Sequence, residues 1–219
     1  KEVSGNIFVH IKEKDKESIN ILDNKGNLLG ENLVENRNIL TYCMDEKTEN
    51  YAFSILNLNN DNLKSDIEVY GMEGELLWST SLDNEIIMYM DFINQNDLIV
   101  LSDKGIYLIN DSNILWKKQF QIIKDIFMDE EKLYILHGNT LESISFDGRT
   151  IEKSSFTEEY KKILSFNKYI VLYGDNHIIG LRDGEKIFKY ESDKFILNVL
   201  QGVKKLIVVY EDRIDIISL

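Results

Sequence analysis

The sequence predicts an all-β fold, a β-propeller of about six four-stranded antiparallel blades, and three observations support this prediction. Short runs rich in β-branched and aromatic residues fill the chain, as is typical of strands. Asn, Asp, Gly and Lys separate the runs, which indicates tight turns. The runs recur with a period of about 36 residues, which fits a repeated unit of four short strands.

Four kinds of strand, called A, B, C and D in chain order, define the repeat. The B strands resemble LIVLS and recur at spacings of 35, 36 and 37 residues. An A strand precedes three of them, because Phe92, Phe127 and Ile163 each stand six residues ahead of a B strand. The B strands begin at Leu98, Leu133, Tyr169 and Leu206. The C strands are at 19–23, 67–71, 106–110, 141–145, 178–182 and 214–218, and the D strands contain LW (77–78), LW (115–116), IE (151–152) and IF (187–188).

These strands divide one predicted domain, residues 1–219, into six units. We expect the first unit to lack an A strand and the last to lack a D strand, so both terminal blades are predicted to be incomplete. Three explanations stay open: a truncated chain, a short blade, or an irregular closure. The units are about 6–33, 34–83, 84–121, 122–157, 158–192 and 193–219.

Composition excludes several classes of protein. The net charge is -13, from 38 acidic and 25 basic residues, so we expect no nucleic-acid partner. Cys43 is the only cysteine, which excludes a disulfide framework within the chain and a thiolate metal cluster. Because the chain begins at Lys1 rather than Met, we expect a natural start, together with an N-terminal membrane anchor, to precede it.

The C–turn–D pattern carries a family resemblance. In IYLINDSNILW (106–116) and IEVYGMEGELLW (67–78) it resembles the PQQ-like, quinoprotein and WD40-type propeller repeat. Within that group the chain is similar to uncharacterised, membrane-anchored propeller ectodomains of low-GC Gram-positive bacteria. This implies a location on the extracytoplasmic face of the membrane, with the cytoplasm as the alternative. The docking repeat of PQQ enzymes, roughly AxDxxTGxxxW, is not matched, so we expect no cofactor.

Two tryptophans occupy one repeated position. Trp78 and Trp116 occupy this position in two units, and Glu152 and Phe188 occupy it in the next two. A residue that recurs on the last strand of each unit is predicted to pack between neighbouring blades. The alternative is an exposed aromatic that stacks on a ligand.

The candidate metal ligands are few, and we predict no metal site. His137 and His177 fall in predicted B–C turns of successive units, with Asp175 nearby and Asp212 in a later turn. These are weak candidates, because two histidines without a third fixed ligand also fit solvated turns.

No catalytic residue is predicted. Carboxylates cluster in turns at 129–131 and 158–159, and adjacent turn residues indicate a solvated rim more than an acid–base pair. No calcium loop, phosphate loop, nucleophile elbow or HExxH motif is present. Cys43 lies on a predicted inner strand, where a buried thiol is expected.

The leading hypothesis is a non-catalytic interaction scaffold for a protein or cell-envelope partner. The predicted contact surface is the Asn-rich loop Asn57–Ser65, together with the rim that the B–C turns form. One alternative is a propeller that binds a ligand, sugar or metal, or a hydrolase or lyase, with its site in the central channel at Asp91, Asp125 or Tyr42. Another is an extracytoplasmic sensor domain. The candidate contact residues are Asn57, Asn59, Asn60, Asp61, Asn62 and Lys64.

Overall fold

The computed structural model describes residues 2–3, 6–14, 16–35, 38–45, 47, 50–59, 62–71 and 73–218. Within this part the chain is all β, without a helix. None of these residues therefore forms a helix that is long and apolar enough to cross a membrane. The strands are β1 (Glu2–Val3), β2 (Asn6–Glu13), β3 (Lys16–Leu22), β4 (Leu28–Glu35), β5 (Asn38–Met44), β6 (Tyr51–Asn59), β7 (Asn62–Tyr70), β8 (Leu76–Asp83), β9 (Ile87–Phe92), β10 (Asp97–Ser102), β11 (Gly105–Asn110), β12 (Asn113–Gln119), β13 (Ile123–Met128), β14 (Lys132–His137), β15 (Thr140–Ser145), β16 (Thr150–Ser155), β17 (Lys162–Phe166), β18 (Tyr169–Tyr173), β19 (His177–Arg182), β20 (Glu185–Glu191), β21 (Asn198–Gly202), β22 (Lys205–Val209) and β23 (Ile214–Ser218).

The described strands form six antiparallel sheets, numbered here 1 to 6 in chain order. Each sheet is made of consecutive strands, so the A, B, C and D strands lie side by side in that order. Sheets 1 to 5 have four strands, and sheet 6 has three, β21 to β23. The predicted all-β fold of four-stranded antiparallel units is therefore confirmed.

The two ends of the chain differ in how they match the prediction. The first unit was expected to lack an A strand, and this is wrong, because β1 pairs with β2 through Glu2↔Ile7 and Val3↔Asn6. A strand of two residues is too short to leave a recognisable alternation in the sequence. The last unit does lack a D strand in the described residues, as expected.

The chain forms two compact units, Lys1–Gln119 with sheets 1 to 3 and Phe120–Leu219 with sheets 4 to 6. In the first unit one apolar cluster combines sheets 1 and 2, around Ile21 and Tyr51, and another combines sheets 2 and 3, around Val69 and Val100. In the second unit the corresponding clusters combine sheets 4 and 5, and then sheets 5 and 6. Within each compact unit, consecutive sheets thus bury apolar faces against one another, while the single domain over residues 1–219 stays a prediction.

The turns between C and D strands need left-handed backbone, and the sequence supplies it in two ways. Sheets 3 and 5 use two-residue turns, in which both residues have positive φ. Sheets 1, 2 and 4 use a longer turn with a glycine of positive φ as its next-to-last residue. The residues are Gly26 (φ 85), Gly74 (φ 86) and Gly148 (φ 86) in the longer turns, and Asp111 (φ 43), Ser112 (φ 73), Asp183 (φ 49) and Gly184 (φ 74) in the shorter ones.

A β-bulge follows each of these turns at the same place. In sheet 2, Val69 pairs with Trp78 and Tyr70 pairs with Leu76, which leaves Leu77 without an opposite residue. The other four D strands carry an aliphatic residue at the same point, and all five are exposed. The bulge explains the two-residue motif of the D strands (LW, IE or IF). The first residue of the motif faces solvent, and the second points inward. The bulged residues are Leu29, Leu77, Leu115, Ile151 and Ile187.

Candidate functional site

The β6–β7 hairpin extends beyond the rest of sheet 2. Strand β5 pairs with β6 only as far as Leu56, and β8 pairs with β7 only as far as Lys64. Within the strand ladders of sheet 2, residues 58–59 pair only with residues 62–63. The hairpin therefore continues past its flanking strands as a two-stranded ribbon, which we call the β6–β7 ribbon (residues 57–59 and 62–64).

The prediction that Asn57–Ser65 is a loop is wrong. Residues 57–59 belong to β6 and residues 62–65 belong to β7. Asn, Asp and Lys are disfavoured in strands, so the sequence indicated a loop. The ladder of backbone hydrogen bonds outweighs that local preference in the folded hairpin.

Four of the predicted contact residues lie along this ribbon: Asn57, Asn59, Asn62 and Lys64. Asn57 is opposite Lys64, and Asn59 is opposite Asn62. Asn57 and Lys64 are half-buried, and the Lys64 Nζ lies 3.1 Å from a carboxylate oxygen of Asp66. The ribbon thus places these positions on one short structural element. Asn60 and Asp61 lie outside the described residues.

Buried hydrogen bonds hold the base of the ribbon. Ser65 is fully buried, and its hydroxyl donates to the Glu85 carbonyl oxygen at 2.7 Å. The backbone N–H of Asn84 donates to the Leu63 carbonyl oxygen at 2.7 Å. These bonds tie β7 to the segment that connects sheets 2 and 3, so the ribbon projects from a fixed base.

Glu85, beside that base, is a residue that sequence reasoning missed. Its side chain is buried and accepts hydrogen bonds from the Ser102 hydroxyl at 2.5 Å and the Tyr107 hydroxyl at 2.6 Å, with the Lys117 Nζ at 3.6 Å. Burial alone would raise the pKa of Glu85, but the bonds from Ser102 and Tyr107 bring it below its ordinary value. In the sequence Glu85 looks like an ordinary acidic turn residue, and nothing marks it as buried.

Two of the metal candidates, His137 and Asp175, have partners of other kinds. His137 is the last residue of β14 and His177 the first of β19, so both lie at strand ends, not in the turns as predicted. The His137 Nε2 is 3.4 Å from Glu142, and the Asp175 carboxylate accepts two hydrogen bonds from Lys161, at 2.7 and 2.8 Å. Across the described ranges, no three His, Cys, Asp or Glu side chains are grouped so as to hold a metal ion.

The candidates for a channel site make structural contacts. The Asp91 carboxylate accepts from the Tyr89 hydroxyl at 2.9 Å, and the Asp125 carboxylate accepts from the Ile163 backbone N–H at 2.8 Å. Tyr42 packs on the apolar cluster of sheets 1 and 2. The hydrogen bond to Asp125 joins sheet 4 to the A strand of sheet 5, so Asp125 positions strands.

The adjacent carboxylates of the turns bind different partners. Glu158 accepts from the Lys189 Nζ at 2.8 Å, and Glu159 accepts from the Lys124 Nζ at 2.8 Å. Asp129 accepts backbone N–H groups of its own turn. Neighbouring carboxylates that face separate cations do not form the opposed pair that acid–base hydrolysis needs.

The repeated tryptophan position packs between neighbouring sheets in two of the units. Trp78 is half-buried against the cluster of sheets 2 and 3, and Phe188 packs on the cluster of sheets 5 and 6. The Phe188 ring covers Gly180, where an added Cβ would lie 1.9 Å from a ring carbon. Packing between neighbouring sheets, as predicted, is thus the role of Trp78 and Phe188.

Comparison with protein families gives a match over nearly the whole chain. A family model described as "Family of unknown function (DUF5711)" matches residues 2–219. A curated protein, Reticulocyte-binding protein homolog 1 of Plasmodium falciparum (isolate 3D7), is 24% identical over 205 residues, which is 90% of this chain and 6% of that protein. The chain therefore spans only a small part of that relative.

Solved structures show the fold class. The C-terminal WD40 domain of Sif2 has a TM-score of 0.71 and 10% identity, with 98% of this chain and 66% of that chain covered. BamB from Moraxella catarrhalis has a TM-score of 0.52 and 11% identity, with 94% of this chain and 67% of that chain covered. At such identities the likeness shows the fold alone. The predicted resemblance to PQQ-like and WD40-type β-propellers is confirmed.

Proposed function

The chain belongs to the family described as "Family of unknown function (DUF5711)", and from that premise we propose that it is a non-catalytic β-propeller scaffold. Its partner is a protein or a cell-envelope component, and its contact surface is the β6–β7 ribbon. The six sheets are six blades in this proposal, with the last blade of three strands.

The observation that carries the proposal is the ribbon itself. Elsewhere in the described sheets the hairpins between B and C strands have strands of five to eight residues, whereas β6 and β7 have nine each. A two-stranded ribbon without a sheet around it contributes little to a core. Extra structure that projects from a rigid base is how many folds present a binding surface.

Two further features support a scaffold. Propellers of the WD40 type, to which the chain is similar, generally bind protein partners. The carboxylates that acid–base chemistry would use are engaged in ion pairs or backbone hydrogen bonds, as with Glu158 and Asp125. Carboxylates held in hydrogen bonds and ion pairs are poor proton shuttles.

The ribbon can be shortened without loss of its base. The variant replaces residues 59–62 with Asn-Gly, a pair that favours the tight turn of a hairpin, and joins Leu58 to Leu63, which keeps the Leu63 carbonyl that accepts from the Asn84 N–H. Ser65 and its bond to Glu85 are kept. The matched control is Asn139→Ala, which changes one exposed side chain in the β14–β15 turn.

The test is quantitative cross-linking and recovery of bound partners from native cell envelopes with the three proteins. We expect the wild type and the Asn139→Ala variant to recover the same partner equally. The shortened variant should recover at least about tenfold less, as for loss of a central contact. Equal recovery by all three folded proteins contradicts a role of the ribbon in binding.

We also propose that the domain lies on the extracytoplasmic face of the cell membrane, tethered through its full-length protein. The support is the resemblance of its C–turn–D repeat to membrane-anchored propeller ectodomains. Protease added to intact cells should then digest the domain, with a cytoplasmic marker as the control. A domain that survives until the cells are lysed argues for the cytoplasm instead.

A further inference from the structure

One cross-strand row of sheet 4 differs from the same row in the other four-stranded sheets. The row joins the C-strand residue before the bulge to its neighbours on the B and D strands. In sheets 1, 2, 3 and 5 the row contains only glycine and apolar side chains, whereas in sheet 4 all three side chains are polar. The rows of sheets 1 to 5 are Phe8, Ile21 and Gly30; Ala52, Val69 and Trp78; Ile99, Leu108 and Trp116; Tyr134, Ser143 and Glu152; Val171, Gly180 and Phe188.

Beside the polar row of sheet 4 lies a cavity, within the compact unit Phe120–Leu219. Trp78 packs on the cluster between sheets 2 and 3, whereas at the position of Glu152 a cavity of about 70 Å³ remains between sheets 4 and 5. Its apolar wall includes Leu141 and Leu181. The polar row therefore lines a space that an aromatic side chain would otherwise fill.

Ser143 is the buried polar group of this cavity. It is only 3% exposed, and its hydroxyl has no hydrogen-bond partner in the described protein. A buried hydroxyl without a partner is costly, and the hydroxyl lines a space large enough for a small polar molecule. The site thus offers an unused donor and acceptor.

The charges around the cavity favour an anion. Lys132, Lys168 and Arg182 line it together with Glu152 and Asp183, an excess of one positive charge in a chain of net charge -13. Burial alone would lower the pKa of Lys132, but a hydrogen bond with Tyr134 and the charges of Asp129 and Glu152 raise it. Lys132 is therefore charged and compensates Glu152, which leaves Lys168 and Arg182 to face Asp183.

Two contacts hold the charged groups in place. The Arg182 guanidinium lies 5.4 Å from the centre of the Tyr169 ring, a cation–π contact. The Glu152 carboxylate lies against the Cα of Gly184, where an added Cβ would be 1.5 Å from the Glu152 Oε1. The glycine turn thus lets a hydrogen-bond acceptor reach the cavity, close to the cationic residues.

We propose that this cavity binds a short hydroxycarboxylate, a small molecule with one carboxylate and vicinal hydroxyl groups. The carboxylate binds Lys168 and Arg182, and the hydroxyl groups bind Ser143 and Glu152. The carbon chain packs on the apolar wall of Leu141 and Leu181. The proposal does not depend on the β6–β7 ribbon, which lies in the other compact unit.

The test is isothermal titration calorimetry of the full chain with racemic glycerate, glycerol and inorganic phosphate. Glycerol has the hydroxyl groups without the carboxylate, and phosphate is an anion without the carbon chain. We expect saturable binding of glycerate, at least about tenfold tighter than that of either control ligand, which corresponds to about 1.4 kcal/mol. No saturable binding of glycerate, or equal binding of phosphate, overturns the proposal.

Variants taken from the repeat itself test the position of the site. Ser143→Val with Glu152→Trp installs the C- and D-strand residues of the sheet 2 row and should abolish glycerate binding. Ser143→Ala, which adds no bulk, should weaken binding at least fivefold and covers the case in which the double variant fails to fold. Lys205→Ala is the matched control for Lys168→Ala, because both lysines lie at the start of a B strand: Lys168 directly precedes β18, and Lys205 is the first residue of β22. Glycerate affinity that falls equally in both lysine variants, or in neither, contradicts the assignment.

Discussion

At the scale of single residues, a few buried carboxylates stabilise this acidic chain from inside. Glu17, Glu85 and Glu142 are 3%, 7% and 4% exposed. Glu17 accepts from the Ile39 backbone N–H at 3.0 Å, and Glu142 accepts from the Thr150 hydroxyl at 2.6 Å. Hydrogen bonds to a charged group are stronger than neutral ones, so each of these carboxylates joins strands that apolar packing alone would leave less fixed.

Replacing Glu85 with Gln should lower the free energy of unfolding by about 2 kcal/mol at neutral pH, because the bonds from Ser102 and Tyr107 then end on a neutral group. The measurement is urea denaturation of both proteins. Glu130→Gln is the control, since Glu130 is exposed in a turn, and it should leave the midpoint unchanged.

The loss should also depend on pH. The pKa of Glu85 in the folded protein lies below its ordinary value of 4.5, so the stabilisation is complete above that value and is lost as the pH falls through the folded-state pKa. The gap between wild type and Glu85→Gln should therefore narrow at acid pH. A gap that widens on acidification contradicts the assigned charge state.

At the scale of elements, the C–D turn and the bulge after it give each unit its shape. The turns of sheets 1 and 3 differ in how well their residues suit a left-handed backbone conformation. Gly26 holds φ 85 with no atom within 4 Å of an added Cβ, whereas Ser112 holds φ 73 with a side chain in place. The left-handed region disfavours side chains, so the turn of sheet 3 is strained relative to that of sheet 1.

Two opposite substitutions test this turn chemistry. Ser112→Gly should raise the free energy of unfolding by about 0.5–1 kcal/mol, because the relief of strain exceeds the entropy cost of glycine. Gly26→Ala should lower it by about 1–2 kcal/mol, since backbone strain is the only cost there. The measurement is chemical denaturation of each variant beside the wild type. The same sign for both substitutions would be inconsistent with the φ values of the two turns.

At the scale of the whole molecule, repetition and charge are the dominant features. In each compact unit the apolar core is divided into two clusters, each between consecutive sheets, so no single cluster stabilises the whole unit. The chain also has 13 more acidic than basic residues. Surface ion pairs contribute little each, so repulsion among the excess carboxylates should weaken the folded state at low salt.

Added sodium chloride should therefore raise the melting temperature, because screening reduces that repulsion. Thermal unfolding over a salt series is the measurement. A variant with Glu130→Lys and Glu131→Lys has a less negative net charge and should respond less steeply. A melting temperature that falls with salt would mean that attractive ion pairs, not net repulsion, dominate the electrostatics.

The sequence by itself predicted the fold class, and particular residues show why. The B strands at Leu98 and Leu133 and the aromatic positions at Trp78 and Phe188 repeat because each unit must bury the same faces against its neighbour. The loop at Asn57–Ser65 was predicted wrongly, because its polar residues disfavour strands locally and only the partner strand shows that they pair. The strand β1 was missed because its two residues are too few to leave an alternation in the sequence.

What the sequence determined, then, is the repeat: its period, its turns and the inward positions, all of which depend on local chemistry and on a pattern along the chain. What only the tertiary structure decided is which polar residues are buried and what they face. Glu85 is an acidic turn residue in the sequence and a buried hydrogen-bond acceptor in the fold. In the sequence, Ser143 and Glu152 look like random variation at repeated positions. In the fold they line a cavity, because sheet 5 packs opposite them. Side chains from distant segments are buried against one another only when the sheets pack. A pattern along the chain therefore does not show which of them will meet.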